Sequence, residues 1–514
     1  MWVDAQRNLI IYDTPKADRI AASVPGSARL TNSYVASPIN LYNLQLLRYL
    51  GMDVPPPMEG TYDWPGRFTP FHAQRVTANF LSLNPRAFVL SDMGTGKTMA
   101  ALWAADFVMG SYHRGACRAV IVSPLSTLQR VWSDAVFANF MLRRKAVVLH
   151  GSAEKRRALL KEDVDFYIVN FDGLKVLEKE LALRDDIRMA IVDEASAYRD
   201  GTTLRHKVAR RLLATRDYLW MMTGTPVPNG PTDAYGLAKL VNNAYGESYR
   251  HFEDRVTAKI GMWKRVPKPG ANAEAYKLLQ PAVRFAIEDC QDLPPITTQQ
   301  REVELSPEQA KAYKDMKKDL ILQAKAGPIT AANEAVLRLK LIQIVCGAVY
   351  GPSRETHHLD CGPRIAALKE VIEQAPQKII VFVGLTNVLM LLQNELKAYS
   401  TATINGAVKP NERNEIIRAF QQDDHPRVLL ADPATMAHGI DLWAASIIVW
   451  FGPTDRTELY LQANKRIHRP GQTNACTVVQ LAATATEREI YRRLENNETM
   501  QGVVLTMIKA GREE

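Results

Sequence analysis

The chain has 514 residues, too many for one hydrophobic core, so two to four domains are expected. Its hydrophobic fraction of 46% and charged fraction of 23% are ordinary for soluble globular protein. Lys and Arg outnumber Asp and Glu by 64 to 55, a net charge of +9, which favours a polyanion such as nucleic acid as partner, with a merely basic enzyme as the alternative.

The cysteines, Cys117, Cys290, Cys346, Cys361 and Cys476, are odd in number and scattered without a Cys-x-x-Cys pair, which argues against a disulfide framework and fits a reducing, intracellular compartment. The group Cys346, His357, His358 and Cys361 carries zinc-ligand residue types but matches no standard finger spacing. No basic segment followed by an apolar one opens the sequence, and no uncharged apolar run approaches the ~18 residues of a membrane span. A cytoplasmic, monomeric protein of bacterial or viral source is expected, without contact to a membrane.

In chain order, residues 1–66 read as a small amino-terminal accessory domain, with an apolar run at Leu9–Tyr12, a helix from Asn40 to Leu50 and a break at Pro55–Pro57. Residues 67–230 alternate helical stretches with short apolar runs at Ala87–Leu90, Ala119–Val122, Ala146–Leu149, Phe166–Val169 and Met189–Val192. Runs without polar alternation are strands buried on both faces, so a doubly wound α/β domain with a parallel sheet is predicted. Residues 231–345 read as mainly helical, interrupted by the basic stretch Trp263–Gly270; Ser306 and Pro307 mark a helix start as N-cap and first residue. Residues 346–514 hold a second alternation, with strand candidates Ile379–Val383, Thr401–Ile404, Val428–Ala431, Ile447–Phe451 and Thr477–Leu481.

The sequence Asp92-Met93-Gly94-Thr95-Gly96-Lys97-Thr98 follows the first of these strands and precedes a helical run, Met99–Val108. Strand, glycine turn and helix N-terminus make a phosphate cradle: inward N–H groups and the helix dipole both favour an anion. Gly94 and Gly96 permit the wrap, Lys97 reaches the β- and γ-phosphates, and Thr98 offers its hydroxyl to Mg²⁺. Ser91 stands where the P-loop pattern has its first glycine. Asp193 and Glu194 emerge at the end of the run Met189–Val192, and ligands of open α/β sheets lie at strand carboxyl ends. Asp193 is therefore the candidate for holding Mg²⁺ through water, and Glu194 for orienting and deprotonating the attacking water.

With these pieces in order, the chain resembles the superfamily 2 helicase-like ATPases, and within them the Swi/Snf-type DNA translocases. The resemblance extends from about Phe68 to Ile490 and implies two tandem RecA-like domains with helical insertions between them. Gln74 sits where the family places an adenine-recognising glutamine. RAVIVSP (118–124), with Trp132 following, looks like motif Ia, whose loop touches the nucleic-acid backbone, and DEAS (193–196) occupies the DExx position with Ser196 where many relatives have His. MMTGTPVPN (221–229) looks like motif III, which implies that Thr223 and Thr225 couple hydrolysis to domain movement.

LPPITTQQREVELSPEQAKAYKDM (293–316) resembles the segment joining the two lobes in the Swi/Snf branch, and 378–384 with 406–420 resemble motif IV and its following helix. Residues 427–442 match motif V at Gly439, Asp441 and Leu442, with Met436 and Ala437 where relatives carry paired glycines. QANKRIHRPGQ (462–472) is similar to motif VI; Gln462, Arg466 and Arg469, spaced by four and three, are expected on one helical face, the arginines meeting the γ-phosphate across the interdomain cleft. The amino-terminal section is faintly similar to HARP-type accessory modules, an unrelated packing cap being the alternative.

Nucleic-acid contact is expected from Lys207, Arg210 and Arg211 on the helix after DEAS and from Lys264 and Arg265 in a loop, or else these are solvated faces. The function expected is an ATP- and Mg²⁺-dependent translocase gripping the phosphates of double-stranded DNA. A strand-separating helicase and a non-hydrolysing DNA-binding scaffold are the alternatives.

Overall fold

The computed structural model describes residues 1–496 except 68, 114, 229, 261–263, 288–289, 291–293, 327–330, 351–354, 437–441 and 470–471; the side chains of residues 264, 319–326, 331–333 and 410 also lie outside the described set. Contacts divide the chain into two units, Met1–Cys290 and Gln291–Glu514.

At the start of the first unit, β1 (Trp2–Asp4), β2 (Leu9–Asp13), β3 (Ala28–Arg29) and β4 (Tyr34–Pro38) form an antiparallel sheet in the order β1-β2-β4-β3. Alternation along β2 sends Ile10 and Tyr12 into a small core with Ile20, Val35, Leu44 and Leu47. The expected helix over 40–50 is Leu41–Tyr49, and Asn40 caps it, its side chain accepting from Asn43 N at 2.9 Å. Leu83 joins the same core, and Gln45 Nε2 donates to Ser82 O at 2.7 Å, so this section is fastened to the helix His72–Leu83.

The apolar runs of 67–230 become β5 (Arg86–Val89), β6 (Arg118–Ser123), β7 (Ala146–Val148), β8 (Phe166–Asn170) and β9 (Ile187–Val192). A further strand, β10 (Tyr218–Met222), leads into the TGT turn. Alternate residues feed two cores on opposite faces, Phe88, Val120 and Val122 on one and Ala87, Val89, Ala119 and Ile121 on the other. The sheet is therefore buried on both sides, which is why its strands carry no polar alternation.

Residues 231–290 hold the helices Ala234–Val241, Tyr249–Val256 and Ala271–Leu278, but the loop expected around 264–265 is instead an antiparallel hairpin, β11 (Thr257–Ile260) with β12 (Lys264–Pro267). Arg265 closes it by donating to Thr257 Oγ1 at 3.0 Å and to Asp254 Oδ1 at 2.6 Å. β13 (Ala282–Val283) completes a seven-stranded parallel sheet in the order β13-β5-β10-β9-β6-β8-β7.

The second unit opens on β14 (Ile296–Glu302), an exposed polar strand that no apolar run announces. Ser306 and Pro307 start the helix Pro307–Ala326 as expected: Ser306 Oγ accepts from Gln309 N at 3.1 Å, and Gln309 Oε1 accepts from Ser306 N at 3.2 Å. After the helix Ala331–Cys346 come the hairpin β15 (Ala348–Tyr350) and β16 (Thr356–His358), then β17 (Lys378–Phe382), β18 (Thr401–Ile404), β19 (Val428–Ala431), β20 (Ala445–Trp450) and β21 (Cys476–Ala482). The sheet is parallel throughout, ordered β14-β21-β20-β17-β19-β18. Cys346 and Cys361 lie in its core, burial pushing their thiols up to about 12 and about 11, whereas His357 and His358 are exposed on β16. Protonated, buried thiols beside solvent-facing imidazoles are poor zinc donors.

Candidate nucleotide and motor site

The phosphate cradle is built as its sequence dictates. Gly94 and Gly96 have φ of 83° and 74°, a left-handed geometry open to glycine, and the helix Lys97–Gly110 starts directly after Gly96. A Cβ on Gly96 would lie 2.1 Å from Gln74 Nε2, so a larger residue there would displace the Gln74 side chain from the loop. Gln74 is buried, accepting from Phe71 N at 3.2 Å and donating to Gly96 O at 3.4 Å, which sets it against the loop. Thr95 Oγ1 donates to Asp92 O at 2.8 Å, and Lys97 Nζ donates to Ser91 O at 2.8 Å and Asp92 O at 2.7 Å, holding the ammonium within the turn. Met93 is buried, and Thr98 lies in the first turn of the helix.

Ser91, the departure from the P-loop pattern, has a structural task. Its Oγ accepts from Phe285 N at 3.0 Å, and Asp92 N donates to Phe285 O at 2.9 Å, so the strand end of the cradle is tied to the segment after β13. Phe285 was not legible as a site residue, since its contribution is made entirely through main-chain groups.

The parallel register aligns four motif-bearing strand ends: Val89 lies beside Met222, Met221 beside Val192, and Val192 beside Val122. The cradle, Thr223, Asp193 and Ser123 thus leave the sheet along one edge in that spatial order. Neighbouring strands are about 4.8 Å apart, so the Asp193 strand lies about 10 Å from the cradle strand. Thr223 N donates to Val89 O at 3.0 Å and Thr225 N to Thr223 Oγ1 at 3.1 Å, which folds the TGT turn between them.

Asp193 Oδ1 accepts from Glu194 N at 3.0 Å and Oδ2 from Trp132 Nε1 at 3.1 Å. Glu194 has φ 48°, a conformation costing a non-glycine residue about 1–2 kcal/mol, and strain of this kind concentrates at functional sites. Ser196 is buried in the turn Ala195–Tyr198. That turn is braced from behind: a Cβ on Gly236 would lie 2.0 Å from Arg199 O, and His206 Nε2 donates to Gly236 O at 2.9 Å. The donor is fixed by its carbonyl partner. Burial pushes the His206 ring below its ordinary value of 6.5.

In the second unit, the helix expected to carry Gln462, Arg466 and Arg469 on one face is shorter than that. It spans Thr457–Asn464 and caps at Lys465, so both arginines lie in the turns beyond it. Gln462 is buried and donates to Glu458 Oε1 at 3.2 Å. Arg466 is buried, its carbonyl accepting from Leu442 N at 3.0 Å, and Arg469 is half-buried.

Gln472 fastens this turn: its Nε2 donates to Trp443 O at 3.0 Å, Ala445 O at 2.8 Å and Ile467 O at 3.0 Å, and its Oε1 accepts from Asn474 N at 2.9 Å. In the sequence Gln472 is simply the last residue of the motif VI stretch, in a polar segment with no periodicity to show that it is buried. Gly439 and Asp441 lie outside the described residues.

Of the nucleic-acid candidates, Lys207, Arg210 and Arg211 are exposed on the helix Leu204–Leu212, Arg211 with its Nε 2.5 Å from Glu178 Oε1. Arg265 is engaged by Asp254 and Glu253 of the helix before the hairpin, and the side chain of Lys264 lies outside the described set.

A lysine-bearing glycine cradle and an Asp-Glu strand end on one doubly wound sheet, followed in the chain by a second such sheet, define a helicase-like P-loop ATPase. Residues 78–345 match the SNF2-related domain, and residues 363–471 match the helicase conserved C-terminal domain. The chain belongs to the SNF2 family, with two tandem RecA-like domains.

Among its relatives is putative protein p41 of Acyrthosiphon pisum secondary endosymbiont phage 1, 27% identical over 79% of this chain and 90% of its own length. Another is the Xenopus tropicalis SWI/SNF-related matrix-associated actin-dependent regulator of chromatin subfamily A-like protein 1, 24% identical over 80% of this chain. The chain spans 42% of that frog protein. Among solved structures, the Sulfolobus solfataricus SWI2/SNF2 ATPase core in complex with dsDNA is similar over 84% of this chain and 92% of its own, with 21% identity and a TM-score of 0.41.

Proposed function

We propose that the chain is an ATP-driven translocase on double-stranded DNA. The observation that carries this reading is the shared sheet edge on which the cradle, the TGT turn and the Asp193-Glu194 pair leave adjacent strands. Lys97 and the main-chain N–H groups of 93–98 hold the β- and γ-phosphates, and Gln74 recognises the adenine. The Thr98 hydroxyl and the Asp193 carboxylate are hard oxygen donors, the set that suits Mg²⁺, which when bound neutralises developing phosphate charge. Glu194 orients a water for attack and takes its proton. Arg466 and Arg469 stabilise charge on the transferring phosphate, with Gly439, Asp441 and Gln462 on the same nucleotide.

Thr223 and Thr225, beside the cradle strand, sense the phosphates and convert hydrolysis into movement of one unit against the other. Grip on DNA is through phosphates, because a motor must step along any sequence; Lys207, Arg210 and Arg211 are the exposed cations proposed for it. Among the described residues no helix is long and apolar enough to cross a membrane, and work on DNA in an intracellular, reducing compartment is proposed. The test is the ATPase rate without nucleic acid and with duplex DNA, single-stranded DNA or RNA. Stimulation greatest with duplex supports the motor; a rate indifferent to duplex DNA contradicts it.

A further inference from the structure

Trp132 is wholly buried, and a buried indole N–H needs an acceptor. The other fully buried tryptophans find neutral ones: Trp103 donates to Pro65 O at 2.8 Å, Trp220 to Asn84 O at 3.0 Å and Trp450 to Asn464 Oδ1 at 2.8 Å. Trp132 donates instead to a carboxylate, Asp193 Oδ2, at 3.1 Å. Its backbone is shaped for this. Leu128–Ser133 is a π-helical turn, in which Trp132 N donates to Thr127 O at 3.3 Å, five residues back. Each residue added to a turn rotates the succeeding side chains by about 100°, so the wide turn sets the direction in which the indole faces. Thr127, the acceptor, is itself pinned: its Oγ1 donates to Pro124 O at 2.9 Å and also bonds Ser123 Oγ.

We infer that Trp132 is a positioning residue for the metal-holding carboxylate. This rests on the ATPase reading above. With Oδ2 on the indole and Oδ1 on Glu194 N, the Asp193 carboxylate has its plane fixed, and its remaining lone pairs point in set directions. A carboxylate so held loses little freedom when Mg²⁺ arrives, and partners of this kind are worth about 10–100-fold in metal affinity. Because Trp132 follows the loop 124–127 on one short turn, the same indole links that loop to the metal side of the nucleotide.

The test is equilibrium binding of a fluorescent ADP to the full chain, with Mg²⁺ or with chelator. Trp132→Phe keeps most of the ring and loses the N–H. The expected result is unchanged affinity in chelator and about 10-fold or greater loss of the affinity gained from Mg²⁺, with no further loss when Trp132→Phe is added to Asp193→Asn. Wild-type Mg²⁺ dependence in the variant, or equal losses with and without Mg²⁺, overturns the inference.

A second measurement needs no substitution at Trp132. In ¹⁵N-tryptophan-labelled protein, Mg²⁺ added to the ADP complex should move one indole resonance that Asp193→Asn also moves; no such resonance overturns the inference as well. Failure of the wild-type chain to bind ADP at all would instead sink the ATPase reading, and this inference with it.

Discussion

At the scale of single residues, Glu194 and Lys97 separate chemistry from binding. Glu194→Gln should leave ADP affinity intact and lower turnover by about 10²–10⁴-fold, the usual contribution of a general base, whereas Lys97→Ala should abolish nucleotide binding. Arg469→Ala should slow turnover by about 10³-fold or more if the guanidinium acts on the transition state. Steady-state kinetics beside nucleotide titrations checks all three.

His206 gives a pH expectation. Its ring, pushed down by burial, with Arg210 adding to the shift and the Gly236 carbonyl opposing it, binds fewer protons folded than unfolded. Its stabilising contribution is present above about pH 6.5 and lost as pH falls below that value. The melting temperature should therefore drop on acidification through that range, and less steeply in His206→Asn; equal slopes would show that His206 is not the group responsible.

At the scale of elements, the buried strands were legible because full burial leaves an unmistakable apolar run, and β19 falls on the residues read for it. β14 was not, since an exposed edge strand of Thr, Gln and Arg has no core face to announce it. The hairpin at 257–267 was hidden for a related reason: its strands are short and polar, and the bonds of Arg265 to Thr257 and Asp254 are a polar pairing that periodicity does not record.

Motif VI was legible as residues but not as geometry. Spacing by four and three suggested one helical face, yet the helix stops at Asn464, and Gln472 holds the arginine turn against residues 443–445. Gln472→Leu should thus reduce turnover by about 10²-fold with ADP affinity little changed, the scale of effect expected from displacing an oriented group. Near-wild-type turnover in that variant would mean the turn is held by other bonds.

The helix Gly362–Gln374 is joined to the helix Ala485–Glu495 by a fully buried ion pair, Arg364 to Glu487 at 2.7 Å, and Arg364 also donates to Phe451 O at 2.5 Å. Glu487→Gln leaves a buried guanidinium without its counter-charge and should destabilise the second unit by about 3–5 kcal/mol. Replacing both partners with apolar residues should cost much less, as denaturant titration of the two variants would reveal.

At the scale of the whole molecule, the proposed reaction draws on residues of both units: the cradle, the carboxylates and the threonines belong to the first, Arg466 and Arg469 to the second. A motor needs both, because a cycle of ATP binding and release must alter how one unit works against the other.

The most direct measurement is displacement of the third strand from a DNA triplex, which requires travel along an intact duplex and no strand separation. The account predicts displacement that depends on ATP and disappears with Glu194→Gln. A triplex left intact by an actively hydrolysing wild-type chain, while a tailed duplex is unwound, would contradict it.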